Sequence, residues 1–264
     1  MYDLHCHLLP GIDDGPAELS VSLEMARMAV ADGITVTACT PHIYPGLYDN
    51  DAQGIHRAIE AMRRVLAAND IPLQLVGGAD VHLAPGLAEA IAEGRVPTLA
   101  GSRYLLFEPP HHVAPPRLEE TVFELVAAGI TPVVTHPERL SWVEDHFAMF
   151  ERLARRGAWM QVTSGALTGR FGKRPRYWAE RFVGEGLTMI LATDAHDPRR
   201  RPPLLAEGRD AAARLLGAAA AHDLVVTHPS LILRNATPVT LPGPSVRHGS
   251  RATRGFWSRL WRSE

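Results

Sequence analysis

Cysteine is nearly absent: Cys6 and Cys39 are the only two among 264 residues. Two thiols cannot build a disulfide framework, and such a composition fits a reducing, cytoplasmic setting, which is the expected location. Aromatic residues make up only 6% and the net charge is -2, too little stacking surface and basic charge for a dedicated nucleic-acid binder. No run of about 18 apolar residues occurs, so no membrane-spanning helix is expected. His5 and His7 stand so near the first residue that no signal peptide is expected ahead of them. What remains, 46% hydrophobic and 21% charged residues, is enough for a sizeable core and excludes a disordered or fibrous chain. The conspicuous residue is histidine, present 13 times.

Short apolar, β-branched runs alternate with longer amphipathic stretches, the pattern of parallel β/α units. The runs at 2–5, 34–40, 73–78, 103–107, 131–135, 159–163 and 188–193 predict seven strands. Helices are predicted over 17–31, 52–68, 86–93, 117–128, 144–156, 175–184 and 203–220. In the first of these Leu19, Leu23, Ala26 and Val30 form one apolar stripe. Pro16 suits a first helical turn, and Gly33, Gly129 and Gly157 suit helix ends. Seven tandem units without a Ser- or Gly-rich linker predict one α/β domain, a closed or nearly closed barrel over residues 1–228, with a doubly wound open sheet as the alternative. Residues 229–264 read as a C-terminal extension. Within it Arg251, Arg254, Arg259 and Arg262 alternate with Phe256, Trp257, Leu260 and Trp261, which suits either a basic amphipathic contact with a membrane surface or partner, or a solvated tail.

His5 and His7 are two apart on a strand end, so their side chains share one face and can share one cation. Further ligand-type residues stand at or just after one predicted strand end after another: Asp13 and Asp14, His42, Asp80, Glu108, His136, Asp194 and His196. In a β/α barrel those ends lie on one rim, where active sites are built. Five histidines and four carboxylates exceed the needs of one ion, so two or three are expected, and mixed imidazole–carboxylate ligation suits Mn, Fe or Zn. Clustered divalent ions hydrolyse phosphate esters, and arginines nearby bind phosphoryl oxygens; Arg139 and Arg201 are the candidates. Cys6 falls on the strand face opposite His5 and His7, which marks it as core. His56, His146, His222, His228 and His248 lie off the rim pattern, whereas His82, His111 and His112 lie close to it.

The strings Leu9-Pro10-Gly11-Ile12-Asp13-Asp14-Gly15, Thr40-Pro41-His42, Gly78-Ala79-Asp80, Phe107-Glu108, His136-Pro137-Glu138-Arg139, Asp194-Ala195-His196 and Arg201-Pro202-Pro203 resemble the PHP superfamily. Within it they resemble the bacterial metal-dependent protein-tyrosine phosphatases of capsule and exopolysaccharide systems. The resemblance implies a distorted seven-stranded TIM-like (β/α) barrel, the PHP fold, with three divalent ions, usually manganese. It implies that His5, His7, Asp80 and Asp194 hold one ion, that Asp80, Glu108 and His136 hold a second, and that Asp14, His42 and His196 hold a third. It assigns Arg139 and Arg201 to the phosphate. Asp80 stands where the family usually has Glu, one methylene shorter.

The implied reaction is in-line hydrolysis of phosphotyrosine by a metal-activated hydroxide, with Tyr44 and Tyr48 placed to flank the substrate ring. The implied partner is a tyrosine autokinase with a tyrosine-rich tail. Cysteine-dependent tyrosine phosphatases carry an arginine six residues after the nucleophile; here Ile12 follows Cys6 and Pro45 follows Cys39 at that distance. The alternative enzyme reading is a small-molecule phosphomonoesterase of the histidinol-phosphatase type.

Overall fold

The structure is a computed structural model and describes residues 1–237, so the basic, aromatic stretch 251–262 and His248 lie outside the described residues. Among the described residues nine strands form, all paired in parallel: β1 (Tyr2–Cys6), β2 (Val36–Cys39), β3 (His42–Ile43), β4 (Gln74–Gly77), β5 (Asp80–His82), β6 (Tyr104–Glu108), β7 (Thr131–Thr135), β8 (Trp159–Thr163) and β9 (Thr188–Ala192). They make a three-stranded sheet, β1-β2-β4, and a six-stranded one, β3-β5-β6-β7-β8-β9.

Nine strands arise where seven are predicted because the second and third predicted strands each bend and change sheet. After β2 the break falls at Thr40-Pro41, where proline has no N–H to continue the ladder. After β4 it falls at Gly78, where a Cβ would lie a tight 3.0 Å from the Leu99 side chain and 3.1 Å from that of Thr40, so any larger residue would have to push them back. The two sheets also meet through β1. The Asp194 amide donates to the His5 carbonyl at 2.8 Å, and the His7 amide donates to the Ala195 carbonyl at 2.9 Å.

Among the described residues ten α-helices lie between or after the strands: α1 (Leu19–Ala31), α2 (Ala52–Ala68), α3 (Leu87–Ala92), α4 (Leu118–Ala127), α5 (Val143–Arg155), α6 (Ser164–Leu167), α7 (Lys173–Gly184), α8 (Ala206–Leu216), α9 (Ala218–His222) and α10 (His228–Leu233). None among the described residues is long and apolar enough to cross a membrane. The helix predicted over 203–220 is broken at Gly217, whose φ of 88° leaves the helical region. The apolar stripe predicted for α1 is rotated. Ser22, Met25, Ala26 and Ala29 are buried, while Leu19 is 42% exposed. Small residues on the packed face bring the helix close to the sheet, and the larger Leu23 and Val30 fill its margins.

Side chains alternate along each strand, so each has one face toward the helices and one away from them. Leu105, Phe107, Val134 and Met160 belong to the helix-facing core, whereas Tyr104, Leu106, Val133 and Trp159 belong to a second cluster on the opposite face. Two residues further along that opposite face stand Glu108, Thr135 and Gln161, all buried. One strand face therefore runs from apolar to polar toward the C-terminal ends, and the polar end is where the site lies.

The folded unit does not stop at His228, where the sequence reading ends it. There α10 begins and places Ile232 against the second cluster. The His228 Nδ1 meets the Met189 carbonyl at 2.7 Å, and the Tyr104 hydroxyl donates to the Ala236 carbonyl at 3.1 Å. The Pro and Arg content beyond His228 conceals a short helix whose apolar residues are too few to show a period.

Candidate metal centre

All nine residues expected as metal ligands come together at one end of the sheets, from strand ends, the loops after them, and the first residues of the short strands β3 and β5. Two of the strand ends carry unusual backbone: His136 after β7 has φ 34° and Asp194 after β9 has φ 51°. Left-handed conformations in residues with a Cβ cost about 1–3 kcal/mol each and persist only where the surroundings enforce them. Here the same turns aim an imidazole and a carboxylate into the cluster.

Three imidazoles are held by their outward nitrogens. His5 donates from Nδ1 to Gln161 Oε1 at 2.9 Å, His7 from Nδ1 to Asp13 Oδ2 at 2.7 Å, and His196 from Nδ1 to the Asp194 carbonyl at 3.0 Å. With the proton on Nδ1, each Nε2 offers a lone pair inward. The inward atoms crowd together: His5 Nε2 lies 3.2 Å from His7 Nε2, 3.2 Å from Asp194 Oδ1 and 3.4 Å from Asp80 Oδ2. His196 Nε2 and His42 Nε2 approach Asp14 Oδ1 at 3.1 and 3.5 Å. His42 Nδ1 lies 3.4 Å from Glu108 Oε2, and His136 Nε2 lies 3.6 Å from Glu108 Oε1 and 3.8 Å from Asp80 Oδ2.

The electrostatics call for positive charge. Burial opposes the charged form of His5, but Asp194 and Asp80 outweigh it and raise its pKa to about 9. Burial is likewise overcome at His42, where Glu108, Asp80 and Asp14 raise the pKa to about 10. His136 is lowered to about 4 by burial and by Arg139, and His196 to about 4 by burial and by His7. Despite burial, Asp14, Asp80, Glu108 and Asp194 are all held below the ordinary carboxylate range by the cations and imidazoles around them.

This donor set fits divalent cations. Both oxygens of the fully buried Asp80 lack a hydrogen-bond partner, as do the buried Nδ1 of His42 and Nε2 of His196. Two Nε2 atoms facing one another at 3.2 Å must share a proton or a cation. Among the described residues five groups of donor atoms are close enough to share an ion: His5, His7 and Asp80; His5, His136 and Asp194; His42, Asp80 and Glu108; Glu108, His111 and His136; and His7 with Asp14, His42 and His196. Asp80 thus reaches both sides of the cluster in spite of its short side chain.

Arg139 and Arg201 both donate to Asp194 Oδ2, the latter at 2.5 Å, and Arg201 also lies 3.9 Å from Asp14. They line a cleft of about 420 Å³ with His42, Glu108 and His136. Tyr44 and Tyr48 border it as well: Tyr44 stacks on His82 with centroids 3.9 Å apart, and Tyr48 on His42 at 5.6 Å. Larger cavities of about 570 and 550 Å³ beside α2 and α3 contain no comparable set of converging donors.

Some residues escape sequence reasoning. Asp13 reads as one more ligand-type residue, yet its carboxylate grips His7 and the amides of Gly15 and His42. Gln161 gave one signal, a lone amide inside an apolar strand. Glu138 is fully buried, accepts from the Thr163 amide at 2.9 Å and is pushed up to about 7 by burial. His82 and His111 both face Glu108, at 3.6 and 3.3 Å. The two thiols are buried and, chiefly through burial, raised, Cys39 to about 12, which leaves them unreactive.

The family model for capsular polysaccharide synthesis, CpsB/CapC, matches residues 1–234. The tyrosine-protein phosphatase YwqE of Bacillus subtilis is 31% identical over 247 residues, 94% of this chain and 97% of that protein. The putative tyrosine-protein phosphatase CapC of Staphylococcus aureus is 28% identical over 78% of this chain and 80% of its own length. A crystal structure from work on YwqE and CpsB of Streptococcus pneumoniae, described as unique metal-dependent tyrosine phosphatases, superimposes with a TM-score of 0.86 at 32% identity, over 90% of this chain and 96% of the other. With the family model matched over residues 1–234, and parallel α/β architecture and most of its length in common with YwqE, this chain belongs to the CpsB/CapC family of capsular polysaccharide synthesis.

Proposed function

We propose that this chain is a metal-dependent protein-tyrosine phosphatase acting in capsule or exopolysaccharide synthesis. The observation that carries the proposal is the convergence of nine imidazoles and carboxylates beneath one cleft, which five of them line together with two arginines and two tyrosines. The family membership and the named activities of the relatives support it and favour it over a histidinol-phosphatase-type phosphomonoesterase. The hydrogen bonds between β1 and the segment after β9 support reading the two sheets as one distorted (β/α)7 barrel of PHP type. The buried free thiols suit a cytoplasmic setting.

In this reading three ions, manganese with iron or zinc as substitutes, are held by His5, His7, Asp80 and Asp194, by Asp80, Glu108 and His136, and by Asp14, His42 and His196. Bound divalent ions there supply a nucleophilic water of lowered pKa and balance phosphoryl charge. The chain's own residues orient the substrate. Arg139 and Arg201, now sharing Asp194, carry planar donor forks that fit the non-bridging phosphoryl oxygens. Tyr44 and Tyr48 provide flat surfaces for the phenyl ring. Once the P–O bond breaks, the phenolate takes its proton from solvent; a pKa of about 10 makes it a good enough leaving group without a strong protein acid. The phosphoprotein partner is a tyrosine autokinase of the same export system.

Turnover of a phosphotyrosyl peptide, p-nitrophenyl phosphate and histidinol phosphate by the manganese-loaded protein tests the substrate class. The two aryl phosphates are hydrolysed with kcat/KM far above that for histidinol phosphate. A preference for the alkyl phosphate would move the assignment to the alternative.

A further inference from the structure

We infer that His111 is an additional ligand for the ion held by Glu108 and His136, an assignment that rests on the metal-dependent reading above. Glu108 ends β6, and His111 follows it by three residues across Pro109-Pro110. The prolines restrict φ on the approach, and two hydrogen bonds then fix the turn. The Trp142 indole donates to the Pro110 carbonyl at 2.8 Å, and the Ser141 amide donates to the His111 carbonyl at 2.9 Å. Both anchors belong to the segment that follows His136–Arg139, so the backbone of His111 is tied to the turn that delivers His136.

The side chain uses that placement. His111 Nε2 lies 3.3 Å from Glu108 Oε1, the same oxygen that His136 Nε2 approaches at 3.6 Å, and the two rings are 4.9 Å apart. Glu108, His111 and His136 each contribute a donor atom to one group compact enough to share a cation. Its neighbour His112 is exposed and joins no such group among the described residues. Asp80 carries one methylene fewer than glutamate, and its Oδ2 stays 3.8 Å from His136 Nε2, so the imidazole of His111 supplies a further donor beside Glu108 and His136.

Calorimetric titration of metal-depleted full-length protein with Mn²⁺ tests this without any turnover. His111→Ala weakens one binding step at least about tenfold and leaves the others in place, while His112→Ala titrates as wild type. Co²⁺ loading of His111→Ala then shows an altered visible absorption spectrum. Unchanged titration of His111→Ala overturns the assignment, and so does tighter binding, which would mean that His111 only competes with the ion for Glu108. Wild-type protein that takes up no Mn²⁺ overturns the metal-dependent reading itself, and the His111 assignment falls with it.

Discussion

Replacing Asp13 by Asn exchanges one oxygen for an amino group at a carboxylate that serves three donors. Oδ2 accepts from His7 Nδ1 at 2.7 Å and from the His42 amide at 3.2 Å, while Oδ1 accepts from the Gly15 amide at 2.9 Å. An asparagine cannot satisfy both sides. If its amino group faces Gly15, two donors meet; if it faces His7, the imidazole must shift its proton to Nε2 and can no longer offer that lone pair inward. Positioning carboxylates of this kind are worth about 10–100-fold in metal affinity, or about 1.4–2.7 kcal/mol. Asp13→Asn therefore raises the Mn²⁺ concentration for half-maximal phosphotyrosyl peptide hydrolysis by that factor, and saturating Mn²⁺ restores most of the rate. Circular dichroism melting of the metal-free variant separates this effect from general destabilisation. A folded Asp13→Asn protein with wild-type Mn²⁺ dependence would refute the claim that Asp13 fixes His7 as a ligand.

Arg139→Ala and Arg201→Ala each lower kcat by about 10²–10³ with ion content unchanged by elemental analysis, because a fixed donor to the transferring phosphoryl group is lost. Equal loss of bound metal would assign the arginines to holding Asp194 instead. Cys6→Ser and Cys39→Ser retain phosphatase activity in steady-state assays, since both thiols are buried and raised; abolition of activity in either folded variant would revive a thiol nucleophile. Glu138 titrates at about 7 in the fold against 4.5 unfolded, so its contribution to stability is full below pH 4.5 and is lost as pH rises through about 7. Glu138→Gln removes that loss, which amounts to about 3 kcal/mol. Chemical denaturation across pH 4.5 to 8 then shows the variant gaining on wild type as pH rises; a pH-independent difference would contradict a protonated Glu138.

The site was more legible than the fold's details because metal chemistry restricts residue types. His5 and His7 announce a shared strand face by their spacing, and His42, Asp80, Glu108, His136 and Asp194 announce strand ends by following apolar runs. The sheet change at Pro41 and Gly78 was invisible for the opposite reason: the apolar runs end at those breaks, and β3 and β5 are only two and three residues long. The stripe in α1 was misphased because alanine and serine, weak in any hydrophobicity count, form its packed face. Asp13 stands out only as a ligand type and Gln161 not at all, because a residue that orients a ligand through a hydrogen bond needs no fixed spacing from it. His111 was noticed only as a neighbour, since its role depends on two carbonyl anchors from a segment about thirty residues away.

The central claim is that these clustered imidazoles and carboxylates hold the ions on which hydrolysis depends. Elemental analysis of wild type and His136→Ala, paired with phosphotyrosyl peptide turnover before and after thorough chelation, tests it most directly. Wild type carries more than one divalent ion per chain, loses turnover after chelation and recovers it on adding Mn²⁺, while His136→Ala binds less metal and turns over at least about 100-fold more slowly. Full wild-type activity in metal-free protein would contradict it.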